Sequence, residues 1–245
     1  MKVLQYIEDT LKKGKMHMTL IDPEGKDPQL SAKIAELATE AGTDAIMIGG
    51  STGITREMMD ETIKRIKERV DKPIIIFPNS AKVISPYADA IYFMSLLNST
   101  DVDMVIGQQA KGAIYIKKIG LEPIPMGYII VEPGMTVGRV GKAKLIKRDR
   151  PEDAVAYALA AQYLGMKFVY LEAGSGAPEP VPLDMIRLVK REIDIPLIVG
   201  GGIRDGEKAK KIAEAGADII VTGTIVEIAD DITGNLGKII SAIKY

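Results

Sequence analysis

Two glycine-bearing turns, Ile198-Val199-Gly200-Gly201-Gly202-Ile203 and Val221-Thr222-Gly223-Thr224-Ile225, carry the strongest chemical signal in this chain of 245 residues. Each follows a short apolar run and precedes a helical pattern, and one strand–helix unit separates them. Glycine lets backbone N–H groups come close to a ligand, and the N-terminus of the helix that follows favours an anion. Paired turns after the last two strands of a (β/α)8 barrel are a recurrent phosphate site. Either turn alone would read as a tight connection. The pair, one unit apart near the end of the chain, points to a phosphorylated substrate.

In such a barrel the C-terminal ends of the strands face the site. Leu20-Ile21-Asp22-Pro23 then brings a carboxylate to the mouth, and Ile48-Gly49-Gly50-Ser51 brings a hydroxyl. Both are hard oxygen ligands, suited to a Mg2+ that keeps several waters and is completed by substrate phosphates. Asp22 reads equally as a turn-forming residue ahead of Pro23. Tyr170-Leu171-Glu172-Ala173-Gly174-Ser175-Gly176 places a second carboxylate beside a third glycine turn. Glu172 could act as a general base, hydrogen-bond substrate hydroxyls, or pair with a cation across the mouth. The basic stretch Arg139, Lys142, Lys144, Lys147, Arg148 reads as a diphosphate contact or as a solvated loop. His17 lies early in the first apolar run and reads as a satisfied core histidine.

The elements that must hold these residues alternate along the whole chain. Apolar runs near 16–21, 44–48, 73–77, 88–94, 123–131, 167–172, 195–199 and 217–222 predict eight strands. Helical patterns fall near 28–41, 54–70, 101–118, 151–164, 182–193, 205–215 and 235–243, with an extra one near 2–13. Strict alternation predicts a parallel sheet, and eight strands close a barrel. Pro151 suits a first helical position, Asp101 and Asp205 suit N-caps, and Gly42, Gly165 and Gly216 suit helix stops. The third unit breaks the rhythm. Only Pro78 to Tyr87 separates two strands there, too short for a crossover with a helix and interrupted by prolines. The third helix is therefore expected to be missing or irregular. The gap is lined by Val83, Ile84 and Tyr87, and either admits a long hydrophobic ligand or is a compact connection.

Composition sets the outer limits. Lys+Arg 32 against Asp+Glu 33 lacks the basic excess of a nucleic-acid footprint. The absence of cysteine removes disulfides, thiol nucleophiles and thiolate metal sites. The one histidine, toward the end of the first strand opposite the site, cannot build an all-imidazole zinc site or serve a nucleophilic triad at the mouth. Met1 to Lys13 is amphipathic and acid-bearing, unlike a signal peptide, and no apolar run approaches the ~20 residues of a membrane span. A cytoplasmic protein with one barrel domain over 1–245 is the expectation. What remains is acid/base or metal-assisted chemistry on a phosphorylated small molecule.

Taken together, Thr19-Leu20-Ile21-Asp22-Pro23, Gly49-Gly50-Ser51, the run Tyr170 to Gly176, Gly200-Gly201-Gly202-Ile203-Arg204 and Gly223-Thr224 resemble the geranylgeranylglyceryl phosphate synthase family. The resemblance covers the whole chain, including the irregular third unit. It implies a modified (β/α)8 barrel that joins sn-glycerol 1-phosphate to geranylgeranyl diphosphate, with Mg2+, in the first ether-forming step of archaeal lipid synthesis. It implies Asp22 and Ser51 as magnesium ligands. Tyr170, Leu171, Glu172, Ala173, Gly174, Ser175, Gly176, Gly201, Gly202, Gly223 and Thr224 would form the glycerol-phosphate site, with Glu172 and Tyr170 at the catalytic centre. Gly223-Thr224 stands where many members carry Gly-Asn. Clustered aspartates, used by most prenyl synthases, are absent; Asp230-Asp231 is a lone pair. The tail is expected in the apolar gap, against Tyr87, Tyr92 and Tyr128. Relatives form dimers or hexamers, so a homo-oligomer is expected, and bacterial relatives transfer a longer polyprenyl chain. The competing expectations are a sugar-phosphate isomerase or lyase using the same anion site, and a phosphate-binding scaffold without catalysis.

Overall fold

The computed structural model describes residues 2–225 and 231–244; Met1, Asp230 and Tyr245 fall outside the described residues. Eight strands close into one barrel in sequence order, every neighbouring pair parallel. They are β1 Met16–Ile21, β2 Ala45–Ile48, β3 Ile74–Ile76, β4 Ala90–Leu96, β5 Glu122–Ile130, β6 Phe168–Glu172, β7 Leu197–Gly200 and β8 Ile219–Thr222. Closure runs through β1 and β8, with Thr19 level with Thr222. The helices are α1 Val3–Leu11, α2 Pro28–Glu40, α3 Arg56–Lys67, α4 Gln108–Ile119, α5 Met135–Val140, α6 Pro151–Tyr163, α7 Leu183–Glu192, α8 Gly206–Glu214 and α9 Ile232–Lys244.

Strand side chains alternate between two separate cores, as the period of two requires. Met16, Met18, Met47, Tyr92, Phe168 and Tyr170 fill the barrel interior. Ile21, Ile46, Ile48, Leu171 and Ala173 pack outward against the helices. The interior is filled at mid-height by rings. Phe77 meets Tyr128 edge-on at 5.3 Å between centroids, and Tyr128 meets Tyr170 at 5.1 Å. Below them α1 stops the N-terminal end: Val3 and Ile7 join the interior core, and the Glu122 carboxylate accepts from the N–H groups of Val3 and Leu4 at 2.6 and 3.2 Å. A carboxylate at a helix start satisfies donors that no helical carbonyl can reach. With that end stopped, the barrel opens at the C-terminal rim.

Helix signals act where the sequence put them. Pro151 opens α6, Asp205 accepts from Lys208 N at 2.8 Å, and Gly42, Gly165 and Gly216 take positive φ directly after helix ends. His17 is fully buried, its ring nitrogens 3.0 Å from the hydroxyls of Thr43 and Thr222. Burial pushes this imidazole down to about 3, with the Lys244 charge adding to the effect.

The third unit is irregular, as its length predicts, and two later segments differ from the sequence pattern. The third crossover holds one 3-10 turn, Ala81–Val83, in place of a helix. The helix expected near 101–118 starts as a π-turn, Asp103–Gly107, before α4. The turn is held to β4 by side chains: Ser95 Oγ donates to the Val105 carbonyl at 2.6 Å, and the Gln109 amide donates to the Met94 carbonyl. After β5 the basic stretch contains a short helix, α5, that the sequence pattern did not announce.

Candidate active site

Strand alternation aims the chemistry-bearing groups at the rim. Asp22 follows the inward residues Met18 and Leu20, and Glu172 follows Phe168 and Tyr170. Two cavities open there. A small one, about 400 Å³, is lined by Tyr170, Glu172, Ser175, Gly176, Gly201, Gly202, Gly223 and Thr224. These come from the end of β6 and the turns after β6, β7 and β8. A longer one, about 1280 Å³ including its opening to solvent, begins at Asp22, Gly50 and Ser51. It passes Phe77 and Tyr128 and continues along apolar residues of β4, the 3-10 turn and α4, among them Ile84, Phe93, Met104 and Ile116. The two cavities share Leu20, Glu172, Ser175, Gly223 and Thr224.

Glu172 is the buried charge of the site, 6% exposed. Its Oε1 accepts from Gly174 N at 2.7 Å and its Oε2 from the Tyr128 hydroxyl at 3.3 Å. Burial raises its pKa; the Gly174 N–H and the Tyr170 and Tyr128 hydroxyls pull the other way without cancelling it. A carboxylate so placed is more basic than one in water. Both tyrosines are raised in turn, first by burial and then by the Glu172 charge, so each stays a neutral phenol. The neighbouring strand makes the room: Glu172 is level with Gly200, and a Cβ on Gly201 would collide with the Glu172 carboxylate. Gly201 also takes φ +84°, a conformation L side chains seldom adopt.

Asp22 Oδ1 accepts from Glu24 N at 2.9 Å, as the turn reading expects. The carboxylate lies against Gly50, where any side chain would strike it. Asp22 and Ser51 line the mouth of the same cleft, so the turn bond and a place at the mouth coexist. Among the described residues no three His, Cys, Asp or Glu side chains form a metal cluster.

Several expected site residues take other positions. Leu171 and Ala173 point outward into the helix layer, where strand alternation sends them. Gly174 borders neither cavity and contributes its N–H to Glu172. Tyr87 does not line the cleft: it is 42% exposed, with the Lys64 ammonium 4.1 Å from its ring centroid. Of the gap residues, Ile84 lines the cleft and Val83 packs in the outer core. None of the five basic residues lines either cavity; Lys142 pairs with Asp101 at 2.7 Å, and Arg148 donates to the Glu132 carbonyl at 3.3 Å. The sequence reading missed Phe77 and the α5 residues Val137 and Val140, which border the cleft. Phe77 carried a usable signal, an aromatic at the end of a buried strand.

Fold and site together define a parallel (β/α)8 barrel in which a small glycine-walled pocket opens on a long apolar cleft. Residues 8–242 match the sequence model of the PcrB family, and the chain belongs to that family. Geranylgeranylglyceryl phosphate synthase of Pyrococcus horikoshii is 58% identical over 228 residues, 93% of this chain and 90% of its own length. The enzyme of the same name from Picrophilus torridus is 55% identical over 99% of this chain and 100% of its own. Among solved structures, (S)-3-O-geranylgeranylglyceryl phosphate synthase from Thermoplasma acidophilum, in complex with its substrate sn-glycerol-1-phosphate, superposes with a TM-score of 0.97. That protein is 54% identical, over 100% of this chain and 99% of its own. The chain is accordingly an enzyme, a prenyltransferase of lipid biosynthesis.

Proposed function

We propose that the protein joins sn-glycerol 1-phosphate to geranylgeranyl diphosphate, giving the geranylgeranyl ether of glycerol phosphate and free diphosphate. One observation carries the reading: Glu172 borders both cavities. A small polar acceptor in one and a long apolar donor in the other would meet at this residue. The glycine turns after β7 and β8, with Ser175 and Thr224 joined at 2.9 Å between their hydroxyls, would hold the phosphate of the acceptor. The prenyl tail would lie along the apolar cleft past Ile84, Phe93 and Ile116. A pocket for a sugar phosphate alone would have no use for that cleft.

Asp22 and Ser51 fit a magnesium site. They are hard oxygen donors at the cleft mouth, the carboxylate has a bare Gly50 backbone beside it, and the ion would be completed by diphosphate and water. Bound there, magnesium would neutralise charge building on the departing diphosphate. Glu172 accepts the proton from the C3 hydroxyl of glycerol phosphate. As that oxygen bonds to C1 of the prenyl group, the C1–O bond breaks and its electron pair leaves with diphosphate. Holding the hydroxyl beside C1 lowers the barrier as well, because the encounter is prepaid by binding. Tyr128 and Gly174 keep the carboxylate turned to the reacting oxygen.

Incubation with sn-glycerol 1-phosphate and prenyl diphosphates of several lengths, with and without Mg2+, tests the reading. Magnesium-dependent ether product peaking at the twenty-carbon donor is expected. A peak at a longer chain would reassign the donor, and no product with any donor would end the proposal. A homo-oligomer, dimer or hexamer, is part of the same proposal. It is supported by Tyr163 and Leu164 at the end of α6, 77% and 71% exposed, and light scattering in solution tests it.

A further inference from the structure

The small cavity has a charge problem that its glycines leave open. A phosphomonoester carries about −1.5 to −2 charges at pH 7, and Glu172 across the pocket would add another negative charge. Backbone N–H groups supply only partial positive charge. Arg204, near the end of the loop between β7 and α8, carries the only full positive charge among the described residues lining this cavity. Its guanidinium is anchored on the neighbouring β6 turn, donating from Nη2 to the Gly176 carbonyl at 2.9 Å. That bond uses one of five N–H donors, in a planar fork suited to phosphate oxygens.

Among the described residues no carboxylate pairs with this charge. Asp205, next in sequence, caps α8 through Lys208 N, and Glu179 pairs with Lys208 at 3.2 Å. Glu172 is engaged by Gly174 and Tyr128. We propose that Arg204 is a substrate-binding residue that recognises the second negative charge of the acceptor's phosphate, while tying the β6 and β7 turns together around it. This rests on the reading of the small cavity as the glycerol-phosphate pocket. Its consequence is selectivity: a dianionic phosphomonoester should be preferred over a monoanionic phosphodiester of similar size.

Calorimetric titration of the intact protein with sn-glycerol 1-phosphate and inorganic phosphate at pH 5 and pH 8 tests it, with R204Q and R204K beside the native protein. The second phosphate pKa lies near 6, so the ligand gains its second charge between these two conditions. Any change in the protonation of Glu172 affects all three proteins and cancels in the ratio of variant to native. R204Q should weaken binding about tenfold or more at pH 8 and much less at pH 5, and R204K should recover most of that pH-dependent difference. An equal loss at both pH values in R204Q, with no recovery in R204K, would make Arg204 a mechanical tie between turns and overturn the proposal. Native protein that binds neither ligand would instead remove the pocket assignment, and this inference with it.

Discussion

Glu172→Gln isolates the proton-accepting role because the amide has nearly the shape of the carboxylate. Its oxygen can still accept from Gly174 N, the 2.7 Å contact that orients the side chain. What changes is the other atom: an NH2 replaces the oxygen that accepts from Tyr128. The phenol can rotate and accept instead, so the cost lies within the roughly 0.5–1.5 kcal/mol of one hydrogen bond. An opposing gain comes from charge. Burial raises the folded pKa of Glu172 above its unfolded value. The folded state therefore holds its proton in a window where the unfolded state has lost it, and native stability falls as pH rises through that window. The amide does not titrate, so the variant should melt close to the native protein at pH 7 and gain on it as pH rises from 4.

The rate should fall instead. General-base assistance contributes about 10²- to 10⁴-fold, or about 2.7–5.4 kcal/mol of barrier. Single-turnover formation of the prenyl ether measures the bond-making step apart from product release. Native activity should decline toward acid pH with an apparent pKa above the ordinary carboxylate range, and E172Q should lose that limb. Glycerol 1-phosphate affinity, measured by calorimetry, should change far less than the rate. A single-turnover rate within threefold of native, or an unmoved acid limb, would refute the base assignment.

Three further tests address other parts of the site. Asp22→Asn keeps the bond from Glu24 N but loses the charge; magnesium titration of activity should shift at least about tenfold, with an unchanged melting curve, and native magnesium dependence would sink the metal assignment. Ile84→Trp narrows the cleft beside Gly112, where Ile84 already leaves no space for a Cβ; the preferred donor should shorten toward ten or fifteen carbons at about 1–3 kcal/mol of stability, and unchanged chain selectivity would move the tail elsewhere. His17 is neutral in the fold with its pKa near 3, so the unfolded chain binds a proton below pH 6.5 that the native state refuses. Stability should then fall by up to about 1.4 kcal/mol per pH unit through that range, and urea melts of His17→Gln should show a shallower fall.

The strands were legible because a parallel barrel buries both of their faces, which turns each strand into a short apolar run between polar turns. Ile74–Ile76 and Leu197–Gly200 are of this kind. The short third crossover could be read from length alone. The π-turn at Asp103–Gly107 could not, because its residues fit a helical pattern and the departure depends on partners from β4, Ser95 among them. Alternation could have turned the Leu171 and Ala173 side chains outward: once Glu172 is taken to face the mouth, its neighbours' side chains must face the helices. Tyr87 was misplaced for a related reason, since proximity to a gap in sequence gives no direction before the next strand starts at Ala90. The deepest limit concerns the glycines. In sequence, Gly50 and Gly201 read as flexible turn points near a ligand, whereas in the fold each also leaves the volume that a carboxylate from another strand occupies, Asp22 in one case and Glu172 in the other. An absent side chain names no partner, so the pairing of small residue with acid becomes visible only when the strands are brought level. That pairing is what lets Glu172 border both cavities while it is 6% exposed. A larger residue at Gly201 should therefore displace the base before it weakens the turn.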